Sequence, residues 1–164
     1  MNTELAKISK KIVETLILQK QTISTAESCT GGLISTCLTE IPGSSQCFSG
    51  GVCTYTEKAK THILGISHDE IQKYGVVSQL VASNMAKSIR QILQSDFAIS
   101  TTGIAGPEGG SPQIPVGTIW CGIASKSGSE AFCLHLEGNR NMIRNGAVIK
   151  LLTNLYDKHL KEQV

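Results

Sequence analysis

Early in the chain stand residue types that serve nucleophilic catalysis. Ser44 and Ser45 close the run Pro42-Gly43-Ser44-Ser45, and Tyr55 and Lys60 follow it. A serine hydroxyl is a poor nucleophile until a base takes its proton. A lysine supplies that base when burial disfavours its ammonium form, and a tyrosine between the two can relay the proton or fix the geometry. Spacing alone leaves a second reading open, because Glu57, Lys58 and Lys60 also fit the charge pattern of a solvated helix face.

Two glycine-rich segments offer ligand walls. Ser28-Cys29-Thr30-Gly31-Gly32 opens a helical stretch, where unpaired backbone N–H groups and the positive dipole end attract a phosphate or carboxylate. The second runs from Thr101 to Gly110 and contains Thr102, Gly103, Ala105 and Gly106. Glycine there lets main-chain N–H groups approach a ligand closely. Each loop alone reads equally well as a plain turn; two at strand ends favour a pocket. Arg140 and Arg144, four apart, share one face of the last helix. They fit a phosphate clamp or an exposed basic face.

These candidates need a scaffold, and the hydrophobic periodicity supplies one. Leu5, Ile8, Ile12, Leu16 and Ile17 recur at helical spacing, which predicts an amphipathic helix over about 4–20 that packs on a single domain spanning 1–164. Thr22–Ala26, Phe48–Tyr55 and Phe97–Thr102 read as strands, and Val116–Ala124 with Glu130–Leu136 as a hairpin. Helices are predicted from about Thr30 to Glu40, Glu57 to Leu64 and Asp69 to Lys73. Two more follow, one after an N-cap at Ser78 and one after an N-cap at Asn139. Helices and strands mix throughout, the pattern of a three-layer α/β domain with at least one antiparallel strand pair.

Composition narrows the ligand. The chain has 164 residues, of which 17% are charged and 4% aromatic, against roughly 25% charged in ordinary soluble domains. Serine, threonine and glycine fill the difference. No apolar run reaches the roughly 18 residues of a membrane span, and a net charge of +2 is too small for a nucleic-acid footprint. The six cysteines form no Cys-x-x-Cys pair, and Glu4, Lys7, Lys10 and Lys11 interrupt any signal-like apolar stretch. That combination predicts a reducing, cytoplasmic setting. Scattered histidines at 62, 68, 135 and 159 predict no metal site and no Ser-His-Asp triad.

Taken in order, several segments carry a resemblance. They are Ala26-Glu27-Ser28-Cys29-Thr30-Gly31-Gly32, Pro42-Gly43-Ser44-Ser45, Tyr55 with Lys60, Gly75-Val76-Val77-Ser78, Thr102-Gly103-Ile104-Ala105-Gly106-Pro107 and Pro115-Val116-Gly117-Thr118. Over about 5–160 the chain resembles the CinA C-terminal domain family, whose stand-alone members are nicotinamide mononucleotide deamidases. The resemblance implies a three-layer α/β/α sandwich around a mixed β-sheet, assembled as a homo-oligomer. It implies hydrolysis of the carboxamide of nicotinamide mononucleotide to nicotinate mononucleotide and ammonia, in pyridine nucleotide salvage, with no cofactor. Carried over by position, Ser45 is the expected nucleophile, Lys60 the base and Tyr55 the relay. Ser28, Thr30, Gly31, Thr102, Gly103, Ala105 and Gly106 are expected around the nucleotide, with Arg140 and Arg144 at its phosphate. The chain departs from the family pattern at Thr56-Glu57, Ile114 and Asn139. A catalytically silent nucleotide-binding domain and a serine amidase for another small carboxamide are the alternative readings.

Overall fold

A computed structural model describes residues 3–161. Five strands form one mixed sheet in the order β2-β1-β3-β4-β5. They are β1 (Ile23–Glu27), β2 (Phe48–Cys53), β3 (Phe97–Gly103), β4 (Thr118–Ser125) and β5 (Gly128–His135). The first three run parallel, with Ile23 facing Phe48 on one side and Phe97 on the other. β4 and β5 are antiparallel, joined by the two-residue turn Lys126-Ser127, because Ser125 pairs with Gly128. The hairpin is thus tighter than the loop expected between Ala124 and Glu130.

Six helices cover the two faces: α1 (Thr3–Gln19), α2 (Leu33–Thr39), α3 (Glu57–Leu64), α4 (His68–Tyr74), α5 (Gln79–Leu93) and α6 (Arg140–Leu155). Helices α1, α2 and α6 bury Leu5, Ile12, Leu16, Ile34, Leu38, Ile143 and Leu151 against one face of the sheet. Helices α3, α4 and α5 bury Leu64, Ile71, Val81, Met85 and Ile89 against the other, with Ile66 from the α3–α4 link. Each such side chain contributes roughly 1.5–3 kcal/mol on leaving water. The result is the predicted three-layer α/β/α sandwich around a mixed sheet.

The predicted caps at Ser78 and Asn139 form, accepting from Val81 N at 3.3 Å and Met142 N at 3.1 Å. Helix α2 begins three residues later than predicted. Gly31 and Gly32 sit at φ +58° and +90°, a left-handed turn that glycine adopts at little cost and that delays the start of α2. Among the described residues, no helix is long and apolar enough to cross a membrane.

Strands β1, β2 and β3 all point their C-terminal ends the same way. The chain leaves β1 toward β2 on one side, while β3 lies on its other side. Such a switch point opens a crevice outside the strand ends, where α/β proteins hold their ligands.

Candidate active site

The crevice is lined by the loops after β1, β2 and β3. Its deepest polar group is Lys60, one turn into α3 and 0% exposed. Thr56 caps that helix, its hydroxyl accepting from Ala59 N at 3.1 Å, and Lys60 turns inward on the same face as Leu64, four residues on. Lys60 Nζ donates to the carbonyl of Thr54 at 2.8 Å and to Ser28 Oγ at 2.9 Å. Among the described residues no carboxylate makes an ion pair with it. Burial pushes the Lys60 pKa below its ordinary 10.5, against smaller opposing effects from Cys29, Cys53 and Glu57.

That geometry suits base catalysis. A neutral amine has two hydrogens and a lone pair; one hydrogen goes to Thr54 O, which leaves the lone pair for the Ser28 hydroxyl. The adjacent thiol is not a rival nucleophile. Burial holds Cys29 protonated, with its pKa pushed up to about 11.

A cavity of about 210 Å³ opens over Lys60. Ser28, Tyr55, Thr102, Gly103, Ala105, Gly106 and Arg140 line it, together with Cys29, Val76, Val77, Ile104 and Glu108. Tyr55 is half exposed at its rim. Arg140 donates to the Tyr55 hydroxyl oxygen at 2.9 Å and to the carbonyl of Gly106 at 2.7 Å. With its oxygen accepting from arginine, the phenol keeps its own proton for a group in the cavity. Thr102 lines the wall, but its hydroxyl donates to Val76 O at 2.9 Å and so fixes the Gly75–Val77 segment. Glycine is obligatory at 103, where a Cβ would meet Thr118 O at 2.4 Å.

The remaining predicted residues divide. Thr30, Gly31 and Arg144 stand behind the wall. Thr30 Oγ1 donates to Glu27 Oε2 and meets Thr101 Oγ1, both at 2.7 Å. Arg144 clamps the carbonyl of Thr30 from Nε at 3.2 Å and Nη2 at 2.5 Å. Ser45 is elsewhere. It is exposed in a short 3-10 turn, Ser44–Gln46, just before β2, whereas Tyr55 lies just after β2. Six strand residues separate the two ends, roughly 20 Å at 3.3 Å per residue. Within one chain the serine beside the lysine is therefore Ser28, not Ser45. Strand β2 runs the length of the sheet between Ser45 and Tyr55, so the expected trio of Ser45, Tyr55 and Lys60 does not come together within one chain.

Sequence reasoning also gave no role to Glu27. Its carboxylate, 0% exposed, accepts from Thr30 Oγ1 (2.7 Å), Ile34 N (3.0 Å), Ser35 N (2.9 Å) and Ser35 Oγ (2.8 Å). It replaces the side-chain cap that Gly32 cannot give α2. The signal was present: an acid at a strand end, directly before a glycine-rich helix start. Four larger clefts, of about 460, 390, 240 and 590 Å³, lie away from these loops. None of them pairs a serine with a buried lysine.

Fold and site together define an α/β domain whose switch-point cavity presents a serine to a buried, carboxylate-free lysine. The sequence profile described as the CinA C-terminal domain matches residues 5–159, and the chain belongs to that family. A CinA-like protein of Thermotoga neapolitana is 38% identical over 163 residues, covering 99% of this chain and 39% of the relative. A CinA-like protein of Chlorobaculum tepidum is 43% identical over 144 residues, 84% of this chain and 34% of the relative. The chain thus spans a little over a third of the length of these curated relatives. The solved competence/damage inducible protein CihA from Agrobacterium tumefaciens superposes with a TM-score of 0.93 at 34% identity, covering 96% of both chains.

Proposed function

We propose that the chain is an amidohydrolase that converts nicotinamide mononucleotide to nicotinate mononucleotide and ammonia, with Ser28 as nucleophile and Lys60 as its base. The observation that carries this reading is the 2.9 Å contact between Ser28 Oγ and a fully buried lysine amine. The family resemblance supplies the substrate. The cavity supports a planar carboxamide-bearing ring: 210 Å³ is below the roughly 300 Å³ at which drug-sized pockets begin. The pyridine ring fills it, and ribose and phosphate extend past the open rim toward Arg140.

In the first half-reaction Ser28 Oγ bonds to the carboxamide carbon as its proton passes to Lys60. Tyr55 donates a hydrogen bond to the developing oxyanion. The C–N bond then breaks, and the Lys60 ammonium protonates the departing nitrogen to give ammonia. In the second half-reaction Lys60 takes a proton from water, which attacks the Ser28 ester. The C–Oγ bond breaks as the Lys60 ammonium returns its proton to Ser28 Oγ, and the product acid gives up its own proton to solvent as the carboxylate. Arg140 keeps donors for the phosphate beyond those it gives to Tyr55 and Gly106, while Arg144 positions the Thr30 turn.

The test is ammonia release from nicotinamide mononucleotide by the wild type, Ser28→Ala and Ser45→Ala. Loss in Ser28→Ala with an unchanged circular dichroism spectrum is expected; full activity in Ser28→Ala would overturn the assignment. Because the cavity is small, free nicotinamide belongs in the same substrate panel. Faster turnover of free nicotinamide would replace the mononucleotide with a smaller carboxamide.

A further inference from the structure

Glu108 is the one carboxylate in a cavity whose other charged residues, Lys60 and Arg140, are basic. It lies in the loop after β3, and between Asp96 and Glu130 the sequence holds no other acid. Among the described residues Glu108 makes no ion pair. Arg140 lines the same cavity, yet it gives its N–H groups to Gly106 O and to the Tyr55 hydroxyl. The acid is left for something else.

An exposed acid on a surface loop is ordinarily just solvated, but this loop is tied down. Ile104 N donates to Thr118 O at 2.9 Å, and Gly117 N to Ile104 O at 2.8 Å, which joins the two ends. In between, the backbone packs so closely on Val116 that a Cβ on Gly106 or Gly110 would come within 2.5 and 2.8 Å of it. Arg140 holds the carbonyl of Gly106, two residues before Glu108. The carboxylate is therefore carried by a fixed segment of the cavity wall.

A ligand that fits this wall carries positive charge of its own. A pyridine bearing ribose on its nitrogen is a pyridinium, cationic at every pH. With its carboxamide at Ser28, such a ring sits in a cavity with Lys60 at its base and Arg140 in its lining. Both basic groups oppose it, and Glu108 is the lining group that attracts it. Leaving a cation uncompensated in a confined site costs far more than leaving a hydroxyl there, and ribose hydroxyls past the open rim are served by water. We infer that Glu108 is the counter-ion of the pyridinium ring, and that the site selects N-substituted, cationic pyridine carboxamides over neutral ones. The placement of the ring rests on the amidohydrolase reading. Glu108 and Arg140 then match the opposite charges of the ligand, one on the ring and one on the phosphate. A neutral pyridine carboxamide forfeits the first pair.

Titration calorimetry tests this with two probes, nicotinamide mononucleotide and its reduced dihydropyridine form. The reduced form keeps the carboxamide, ribose and phosphate but has an uncharged ring. In Ser28→Ala, chosen to prevent turnover, the oxidised form is expected to bind more tightly. Adding Glu108→Gln is expected to weaken the oxidised form roughly fivefold, the upper end for a solvent-exposed ion pair, and to leave the reduced form unchanged. Glu108 is exposed, so an unaltered circular dichroism spectrum is expected, and Glu108→Asp, which keeps the charge, should keep the preference. Equal losses for both forms would assign Glu108 to the ribose and overturn the inference; no loss for either overturns it as well. Ammonia release by the wild type reports on the amidohydrolase reading separately. A ring-charge preference without ammonia release keeps the counter-ion and removes the reaction, whereas ammonia release without the preference removes the counter-ion alone.

Discussion

Replacing Lys60 by methionine separates what the residue costs the fold from what it does for the reaction. The side chain is 0% exposed, so its ammonium form is stripped of water, at several kcal/mol for a buried ion. Its hydrogen bonds to Thr54 O and Ser28 Oγ offset roughly 1.5–3 kcal/mol each. Methionine fills a similar volume without the charge but leaves the Thr54 carbonyl unpaired, a loss of about 1–3 kcal/mol. These effects nearly cancel, so Lys60→Met is expected within about 2 kcal/mol of wild type near pH 7. Its turnover is expected to fall by about 10²–10⁴, the usual range for losing a positioned base.

The pH dependence is the sharper part. The folded protein binds the Lys60 proton less tightly than the unfolded chain, whose lysine keeps the ordinary 10.5. Below the depressed folded pKa the whole burial penalty is present. Between the two values the unfolded chain holds the extra proton, and stability rises with pH. Each unit of depression amounts to about 1.4 kcal/mol. Cys29 and Cys37, both pushed up to about 11, act oppositely once pH passes their ordinary 9.0, and they do so in both proteins. Urea denaturation of wild type and Lys60→Met at a series of pH values from 6 to about 10 isolates the lysine as the difference. The wild type is expected to gain on the variant as pH rises. A difference that stays flat, or shrinks, would refute a desolvated lysine and with it the base.

Other perturbations probe the supports. In Glu27→Gln either amide orientation orphans a backbone N–H, of Ile34 or of Ser35, so stability should drop by roughly 1–3 kcal/mol in urea titrations. An unchanged midpoint would show that Glu27 does not cap α2. Thr56→Ala removes the α3 cap and should lower stability by about 1 kcal/mol while keeping turnover, since Lys60 is held by Thr54 and Ser28. Arg140→Gln should raise KM about tenfold for the mononucleotide, the loss of one charge-assisted bond, with little change for the dephosphorylated nucleoside. An equal effect on both would take Arg140 off the phosphate. The rate of ammonia release should climb with pH as Lys60 deprotonates; a flat profile from pH 5 to 9 counts against a lysine base.

Most of the scaffold was legible because local signals agreed with one another. Helical spacing at Leu5 to Ile17, capping at Ser78 and Asn139, and strands ending in glycine-rich loops all pointed to the same layers. Lys60 and Tyr55 were legible as candidates, and the structure gathers them in one cavity with Thr102, Gly103, Ala105 and Gly106. The partner of Lys60 was not legible. Ser28 and Ser45 are both serines beside small residues, and only the sheet tells that one follows a strand and the other precedes one. The duties of Arg144 and Thr102 were hidden for a related reason. Their contacts, to Thr30 O and Val76 O, join segments 114 and 26 residues apart, beyond any local pattern.

The same sheet geometry explains how a buried carboxylate and a buried lysine stay unpaired at one strand end. Had the Glu27 carboxylate faced Lys60, the pair would have held the lysine as ammonium. Side chains alternate across a strand, and β1 uses that alternation. Ala26 packs into the cluster under α3–α5, and Ser28, two residues on, reaches Lys60 of α3. Glu27, between them, turns to the opposite layer and caps α2, the side on which Cys29 also packs. A one-residue slip of β1 would exchange the two faces, placing the acid on the lysine and the hydroxyl on the helix start. The order Ala26-Glu27-Ser28-Cys29 therefore does more than mark a turn. It assigns the acid to the fold and leaves Lys60 a hydroxyl and a carbonyl as partners, which is the condition for an amine that can take a proton.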